Sequence, residues 1–204
     1  MKKNNFEIYF VLFLYLLCFF TTNFVLLNET LFINSFGNTL EYEKIKDIYE
    51  KQKSISWISP FILTFLQALK YSLISFIIFA GIIFTNGEVK FSKIYKIVAV
   101  SDLIFIIPLL IKVCYFGFIN TSYTIDSLQK FTTLSLNIFF HPNNDLVINI
   151  FNQFNLFELI FIFLLVYNLK LQLQISFQNA FKIICISYLP SMLVWIMLLT
   201  FFQL

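Results

Sequence analysis

Long apolar runs alternate with shorter polar stretches along the whole chain. Five of these runs are about 20 residues long, which is the length that an α-helix needs to cross a hydrocarbon core of ~30 Å at ~1.5 Å per residue. The pattern therefore predicts an all-α fold, an integral membrane bundle of five transmembrane helices in one domain over residues 1–204. The predicted spans cover about residues 8–27, 60–84, 97–118, 148–169 and 181–202.

Two polar segments of about 30 residues, 28–57 and 119–147, interrupt this pattern, and we interpret them as outer loops. In the first, EYEKIKDIYEKQK places Tyr42 and Ile45 at helical spacing and predicts a short amphipathic helix. Two interpretations of this helix stay open: a solvated helix packed on the protein's own surface, or a docking face for a partner. The second loop contains a predicted turn at residues 141–144.

The composition places the chain in a lipid bilayer. It is 59% hydrophobic and only 12% charged, with a mean hydropathy of +0.83, whereas a soluble domain carries about a quarter charged residues. All 14 basic residues are lysines. Lysine without arginine, together with abundant Phe, Ile and Asn, indicates an AT-rich bacterial genome and hence a bacterial inner membrane. The net charge of +3 is small and dispersed, which argues against nucleic acid as a partner.

Lysines in the connecting segments predict the orientation, because cytoplasmic loops carry an excess of them. With a cytoplasmic N-terminus, the cytoplasmic segments carry seven lysines and the outer loops carry five, which a larger set of acidic residues offsets. We therefore predict a cytoplasmic N-terminus and a periplasmic C-terminus. Trp57, just before Pro60 at the start of the second span, fits an interfacial aromatic anchor.

Four ionisable residues fall inside the predicted spans: Lys70, Asp102, Lys112 and Glu158. Each costs about 2.5–3.5 kcal/mol in mid-membrane, so each should face protein and find a partner. At ~1.5 Å per residue from the cytoplasmic end of each span, Asp102 lies about 10 Å deep, Glu158 about 16 Å and Lys70 about 21 Å. We therefore predict an intramembrane charge pair between Glu158 and Lys70. Asp102 and Lys112 are candidate polar contacts, and Lys112 lies close enough to the outer surface to snorkel.

Three roles for these charges stay open. The first is a buried polar tie that sets the register of the helices. The second is contact of Glu158 or Asp102 with a charged group on another membrane subunit. The third is a proton or ion path, although the neighbours of Glu158 in the stretch FNLFELIFIF are almost all Leu, Ile and Phe.

Catalytic and metal-binding signatures are missing from the sequence. It contains no HExxH motif, the single His141 cannot supply a metal site or a Ser–His pair, and the four glycines form no phosphate-binding loop. We therefore expect no enzymatic activity, no metal and no cofactor. The sequence identifies no small-molecule substrate.

Several segments carry a family resemblance. WISPFILTFLQALKYSLISFIIFAGIIF leads through GEVKFSKIYKIVAVSD into LIFIIPLL, and FNQFNLFELIFIFLLVYNLKLQLQISFQNAFKI follows with a tight Lys-bearing turn. Over about residues 57–204 the chain resembles the Yip-domain family of five-span membrane proteins, most closely after Asn155-Leu156-Phe157-Glu158. The resemblance implies an α-helical bundle with an accessory or adaptor role in membrane trafficking or protein complexes. In eukaryotic members the partners are small GTPases and coat components.

We therefore expect a non-enzymatic multi-pass membrane protein that acts as an accessory subunit or adaptor of a larger membrane complex. Protein export or envelope biogenesis is a plausible setting. Its expected partners are the lipid bilayer and other membrane protein subunits. The alternative is a small transporter or permease component that uses Lys70, Asp102 and Glu158 in one solvated cavity.

Overall fold

The computed structural model describes residues 6–85, 87–136, 140 and 145–202. Ten α-helices lie wholly within these ranges, and we number them in chain order. They are α1 (Phe6–Leu26), α2 (Glu29–Phe36), α3 (Tyr42–Ile55), α4 (Ser59–Phe84), α5 (Phe91–Ser101), α6 (Ile106–Cys114), α7 (Ile125–Lys130), α8 (Asp145–Gln153), α9 (Leu156–Leu173) and α10 (Phe177–Phe202).

Short turns join some of these helices into longer runs. A 3-10 turn at Ser56–Ile58 connects α3 to α4, and a second at Asp102–Phe105 connects α5 to α6. A π-helical turn at Tyr115–Ile119 follows α6. Five runs are long and apolar enough to cross a membrane, which confirms the predicted all-α bundle of five spans. These runs are Phe6–Leu26, Tyr42–Phe84, Phe91–Ile119, Leu156–Leu173 and Phe177–Leu198.

The helices of the third and fourth spans begin six and eight residues away from the starts that the sequence predicts. The third begins at Phe91 instead of residue 97, because the segment FSKIYK already forms helix and fully buries Ile94. The fourth begins at Leu156 instead of residue 148. Asn155 ends the preceding segment and caps α9, since its side-chain oxygen accepts a hydrogen bond from the backbone N–H of Glu158 at 2.9 Å.

The described contacts group the chain into two compact units. The first unit takes in Met1–Val11, Ala68–Phe105 and Leu134–Leu204, as far as these are described, and the second takes in Leu12–Gln67 and Ile106–Thr133. The single domain over residues 1–204 stays a prediction, and each unit is described by itself below.

In the first unit, α9 packs against both α5 and α10. The contact is apolar, because α5 buries Ile97 and Val98 completely, and α9 buries Phe161 and Leu165 completely. Apolar side chains at three- and four-residue spacing on each helix make continuous stripes that interlock.

The same unit holds a close approach between α4 and α10. Gly81 on α4 faces Ser187 on α10, and a Cβ atom added to Gly81 would lie 2.7 Å from the Ser187 Cβ. Small residues let transmembrane helices come this close, since lipid itself supplies no hydrophobic force between them.

The second unit has its own core. Its buried residues come from α1, α2, α3, the end of the third span, the segment before α7 and α7 itself: Leu26, Leu31, Phe32, Ile45, Val113, Phe116, Tyr123 and Leu128. The Tyr123 hydroxyl donates to the Leu26 carbonyl at 3.0 Å, and burial raises the pKa of this phenol above its ordinary value, so it stays a donor. The segments 28–57 and 120–131 are therefore folded structure with helical caps.

The amphipathic segment predicted in the first loop forms α3. Ile45 is buried and the Tyr49 ring packs on Phe32 of α2 with centroids 5.5 Å apart. Most other α3 side chains are exposed. Trp57 lies in the turn between α3 and α4 and is 67% exposed, so its role as an interfacial anchor stays a prediction. The turn predicted at residues 141–144, with His141, lies outside the described residues.

Candidate functional site

A polar cluster lies inside the apolar helices of the first unit, and Asp102 is its centre. Asp102 begins the 3-10 turn after α5, and it is completely buried. Two side chains from adjacent positions of α4 bind its carboxylate. Lys70 Nζ donates to Oδ1 at 2.6 Å and the Tyr71 hydroxyl donates to Oδ2 at 3.0 Å.

Lys70 and Tyr71 reach the same carboxylate in different ways. Tyr71 is fully buried on the stripe of α4 that also carries Ser75 and Ile78, at helical spacing. The Lys70 side chain is 39% exposed, so it lies at the edge of that stripe and bends inward to the carboxylate. Its Nζ lies 4.5 Å from the centroid of the Phe105 ring, a cation–π distance that adds to the ion pair.

Glu158 forms a second polar contact, with α10. It lies in the first turn of α9, and its Oε1 accepts a hydrogen bond of 2.5 Å from the hydroxyl of Tyr188. The bond between Tyr188 and Glu158 thus ties α10 to α9, and a charge-assisted bond of this kind is stronger than a neutral one.

A buried phenylalanine separates the two contacts. The Phe161 ring lies 5.3 Å from the Phe105 ring on one side and 5.6 Å from the Tyr188 ring on the other. Phe161 is fully buried. The cluster therefore has three parts. Asp102 with Lys70 and Tyr71 forms the first, the rings of Phe105 and Phe161 form an aromatic layer, and Tyr188 with Glu158 forms the third. Glu158 is still within electrostatic range of both Lys70 and Asp102.

The predicted Glu158–Lys70 pair has to be corrected, because Lys70 is bonded to Asp102 instead. Counted from the observed helix ends at Phe84, Phe91 and Leu173, Lys70 lies about 21 Å, Asp102 about 17 Å and Glu158 about 22 Å along its helix. Depth therefore does not choose between the two carboxylates. Side-chain packing does, because it brings Asp102 Oδ1 to 2.6 Å from Lys70 Nζ. Lys112, on α6 in the second unit, is half-buried and has no ion pair within the described residues.

The sequence pattern does not predict four polar residues at this cluster: Tyr71, Tyr188, Ser101 and Asn168. Asn168 of α9 donates to the Ser101 hydroxyl oxygen of α5 at 2.9 Å, directly beside Asp102. The sequence does carry a signal for these residues, since a tyrosine hydroxyl or a side-chain amide within a membrane span must find a hydrogen-bond partner. Searching the spans for uncharged polar side chains as well as charges would have found them.

The chemistry open to this cluster is hydrogen bonding and charge balance. It holds two carboxylates and one ammonium group, and each carboxylate accepts a hydrogen bond from a tyrosine hydroxyl, at 3.0 Å for Asp102 and 2.5 Å for Glu158. Within the described residues, no three His, Cys, Asp or Glu side chains come close enough together to hold a metal ion.

Comparison of the chain with models of protein families, with curated proteins and with solved structures found no match. The resemblance to the Yip-domain family therefore stays a prediction. The fold and the polar cluster carry the functional argument.

Proposed function

We propose that this chain is a non-enzymatic accessory subunit or adaptor of a larger membrane complex, and that its intramembrane charges hold its own helices together. One observation carries the proposal: both intramembrane carboxylates are bonded by side chains of neighbouring helices. Asp102 is bonded by Lys70 and Tyr71, and Glu158 by Tyr188. Charges that are matched in this way set the register of the helices.

Two surfaces support an adaptor role. Between 17% and 33% of the residues in the span segments are buried, so most of each span faces lipid or another membrane protein. In addition, α3 exposes charged side chains such as Lys46, Asp47 and Lys51 above the packed face that holds Ile45. A folded polar helix joined to a membrane span is suited to contact a second protein in the aqueous phase.

The proposed setting is the bacterial inner membrane, with a cytoplasmic N-terminus and a periplasmic C-terminus. The lysine distribution and the AT-rich composition support it. An adaptor role also agrees with the resemblance to Yip-domain proteins. Protein export or envelope biogenesis is the process in which we propose to look for the complex.

The test is to express the protein at its native level, to extract it in a mild detergent, and to measure the mass and composition of the particle that contains it. We expect a defined complex with a second membrane protein in constant stoichiometry. Lys46→Glu with Lys51→Glu, both on the exposed face of α3, should weaken that complex. The matched control is Lys130→Glu on α7, which is exposed and pairs with Asp126 in solvent. A monomeric particle at native expression levels would contradict the proposal.

The second candidate function is a small transporter component, and one observation favours it. Lys70, Asp102 and Glu158 come within electrostatic range of one another, with more carboxylate than ammonium among them. Intramembrane carboxylates of this kind also serve as proton carriers in transporters.

Proteoliposomes separate the two candidates. Purified protein is reconstituted with a trapped pH-sensitive dye, and proton flux is recorded after a pH jump. The transporter hypothesis requires a proton flux above that of empty liposomes, and it requires that Glu158→Gln abolish this flux. The subunit proposal expects equal, background flux in wild type, in Glu158→Gln and in the control Glu88→Gln.

A further inference from the structure

A cavity of about 1070 Å³ opens in the first unit where four spans begin or end. Its walls come from the end of α4, the connector before α5, the end of α9 and the first turns of α10. These are the ends of helices that cross the apolar core, so the cavity lies at the level of lipid headgroups if the spans cross the bilayer. It is separate from the cluster around Asp102.

The lining of the cavity is divided into a basic and an apolar part. Three lysines line it, Lys90, Lys93 and Lys182, against one carboxylate, Glu88. Ile82 and Ile183 contribute to its apolar part. A site with a net charge of about +2 beside an apolar wall fits a molecule with an anionic head and a hydrocarbon body.

The three lysines are not neutralised by carboxylates of the described chain. The ion pairs in the described ranges are Lys44–Glu41, Lys70–Asp102 and Lys130–Asp126. Lys90 and Lys182 are exposed, and Lys93 is half-buried. Their positive charge is therefore available to a ligand.

The backbone adds to this positive field. Helix α5 begins at Phe91 and α10 at Phe177, and both starts contribute residues of their first two turns, Ser92 and Asn179, to the lining. The positive ends of two helix dipoles therefore lie at the cavity, together with the lysines. The Ser92 hydroxyl and the Asn179 amide supply further hydrogen-bonding groups.

We propose that this cavity binds a phosphate ester anion, and that the membrane supplies it as the headgroup of an anionic phospholipid. The volume exceeds what a bare phosphate ion needs and falls at the upper end of ordinary ligand pockets. Lysine ammonium groups bind phosphate as point charges, without the bidentate geometry of arginine. The site should therefore select for charge and tolerate different anionic headgroups.

The experiment uses the full-length protein, purified in detergent and stripped of lipid. Bound lipid is counted by native mass spectrometry during titration with phosphatidylglycerol or phosphatidylcholine. We expect phosphatidylglycerol to bind at least about tenfold more tightly, since each lysine near a membrane surface contributes about fivefold. Replacing Lys90, Lys93 and Lys182 together by Gln should abolish this preference.

The matched control replaces Lys44, Lys51 and Lys130 by Gln, three exposed lysines of the second unit, and should keep the preference. Glu88→Gln removes the one acidic group and should strengthen phosphatidylglycerol binding about fivefold, a gain that misfolding cannot imitate. Equal binding of both lipids by the wild type, or an unchanged preference in the triple Gln variant, would overturn the proposal.

A third arm distinguishes the source of the phosphate. Glycerol 3-phosphate is titrated alone and as a competitor of phosphatidylglycerol. Weak binding without displacement of the lipid is expected if the headgroup is held together with its acyl chains. Tight, lysine-dependent binding of glycerol 3-phosphate together with no lipid preference would keep the phosphate site and rule out the lipid as its source.

Discussion

Burial removes all water from the Asp102 carboxylate, and this desolvation costs free energy. Two side chains within one turn of α4 offset that cost. A carboxylate at zero exposure needs a counter-charge and hydrogen bonds to remain ionised. Lys70 supplies the charge and Tyr71 supplies the second hydrogen bond. Because the two are adjacent in sequence, a single helix face satisfies both carboxylate oxygens and fixes the rotation of α4 against α5.

The Lys70–Asp102 pair is tested by a double-mutant cycle. Asp102→Leu or Lys70→Leu alone should destabilise the protein by about 3–5 kcal/mol, because each leaves one charge in the membrane without its partner. The double Leu variant should lie within about 1–2 kcal/mol of the wild type. Unfolding in mixed detergent micelles is the measurement.

The exposed pair Lys130–Asp126 is the control for this cycle, and its Leu variants should each change stability by less than about 1 kcal/mol. Single variants at residues 70 and 102 that are as stable as wild type would show that the ion pair does not form.

Tyr188 gives a second residue-scale prediction. Tyr188→Phe removes only the hydroxyl that Glu158 accepts, so the ring contact with Phe161 is kept. We expect a loss of about 1.5–3 kcal/mol, the range for a hydrogen bond to a charged group. Tyr167→Phe on the exposed face of α9 is the matched control and should leave the free energy of unfolding unchanged. The same loss in both variants would contradict a specific bond at Tyr188.

At the scale of elements, the hydrophobic pattern predicted which segments are helical but not where the helices start. The hydrophobic pattern predicts that the fourth span starts at about residue 148. The structure instead ends α8 at Gln153 and restarts at Leu156 with Asn155 as the cap. A capping side chain is a local hydrogen bond, and a hydropathy average over about 19 residues does not register it.

The contact between α4 and α10 yields an element-scale prediction. Gly81→Ala would place a Cβ atom 2.7 Å from the Ser187 Cβ, so the helices must separate. We expect a loss of about 1–3 kcal/mol, the usual result of overpacking. Ser187→Gly in the same chain should recover part of it.

Ala80→Gly, one residue earlier on α4, is the comparison for the change in helix propensity. If Gly81→Ala unfolds at the same detergent concentration as the wild type, the close approach of the two helices is absent in the membrane.

At the scale of the whole molecule, fold class and number of spans followed from composition and run length alone. The identity of the ion pair did not, because three ionisable residues lie at similar depths and only side-chain packing chooses between two carboxylates for Lys70. The pattern predicts the amphipathic helix in the segment 28–57, but not the core that this segment forms with the segment 120–131. Their core combines Leu26, Ile45 and Tyr123, which are far apart in sequence.

The orientation gives a whole-molecule prediction. In a background in which Cys18, Cys114 and Cys185 are replaced by Ser, a new cysteine at Ser92 should react with a membrane-impermeant maleimide only after the cytoplasmic side is opened. A new cysteine at Ser54 in the exposed part of α3 should react in intact spheroplasts. The reverse labelling would mean that the N-terminus is outside.

The spans also differ in length, and this couples the protein to membrane thickness. Helix α9, which starts only at the Asn155 cap, has 18 residues and is about 27 Å long, whereas α10 has 26 residues and is about 39 Å long. A bilayer of ~30 Å exceeds the shorter helix and is exceeded by the longer one, so α10 must tilt while α9 stays near the bilayer normal or draws the lipid inward. Short acyl chains therefore relieve the mismatch of α9 and increase that of α10, whereas long acyl chains do the opposite. The free energy of unfolding should accordingly be highest in bilayers of intermediate acyl-chain length.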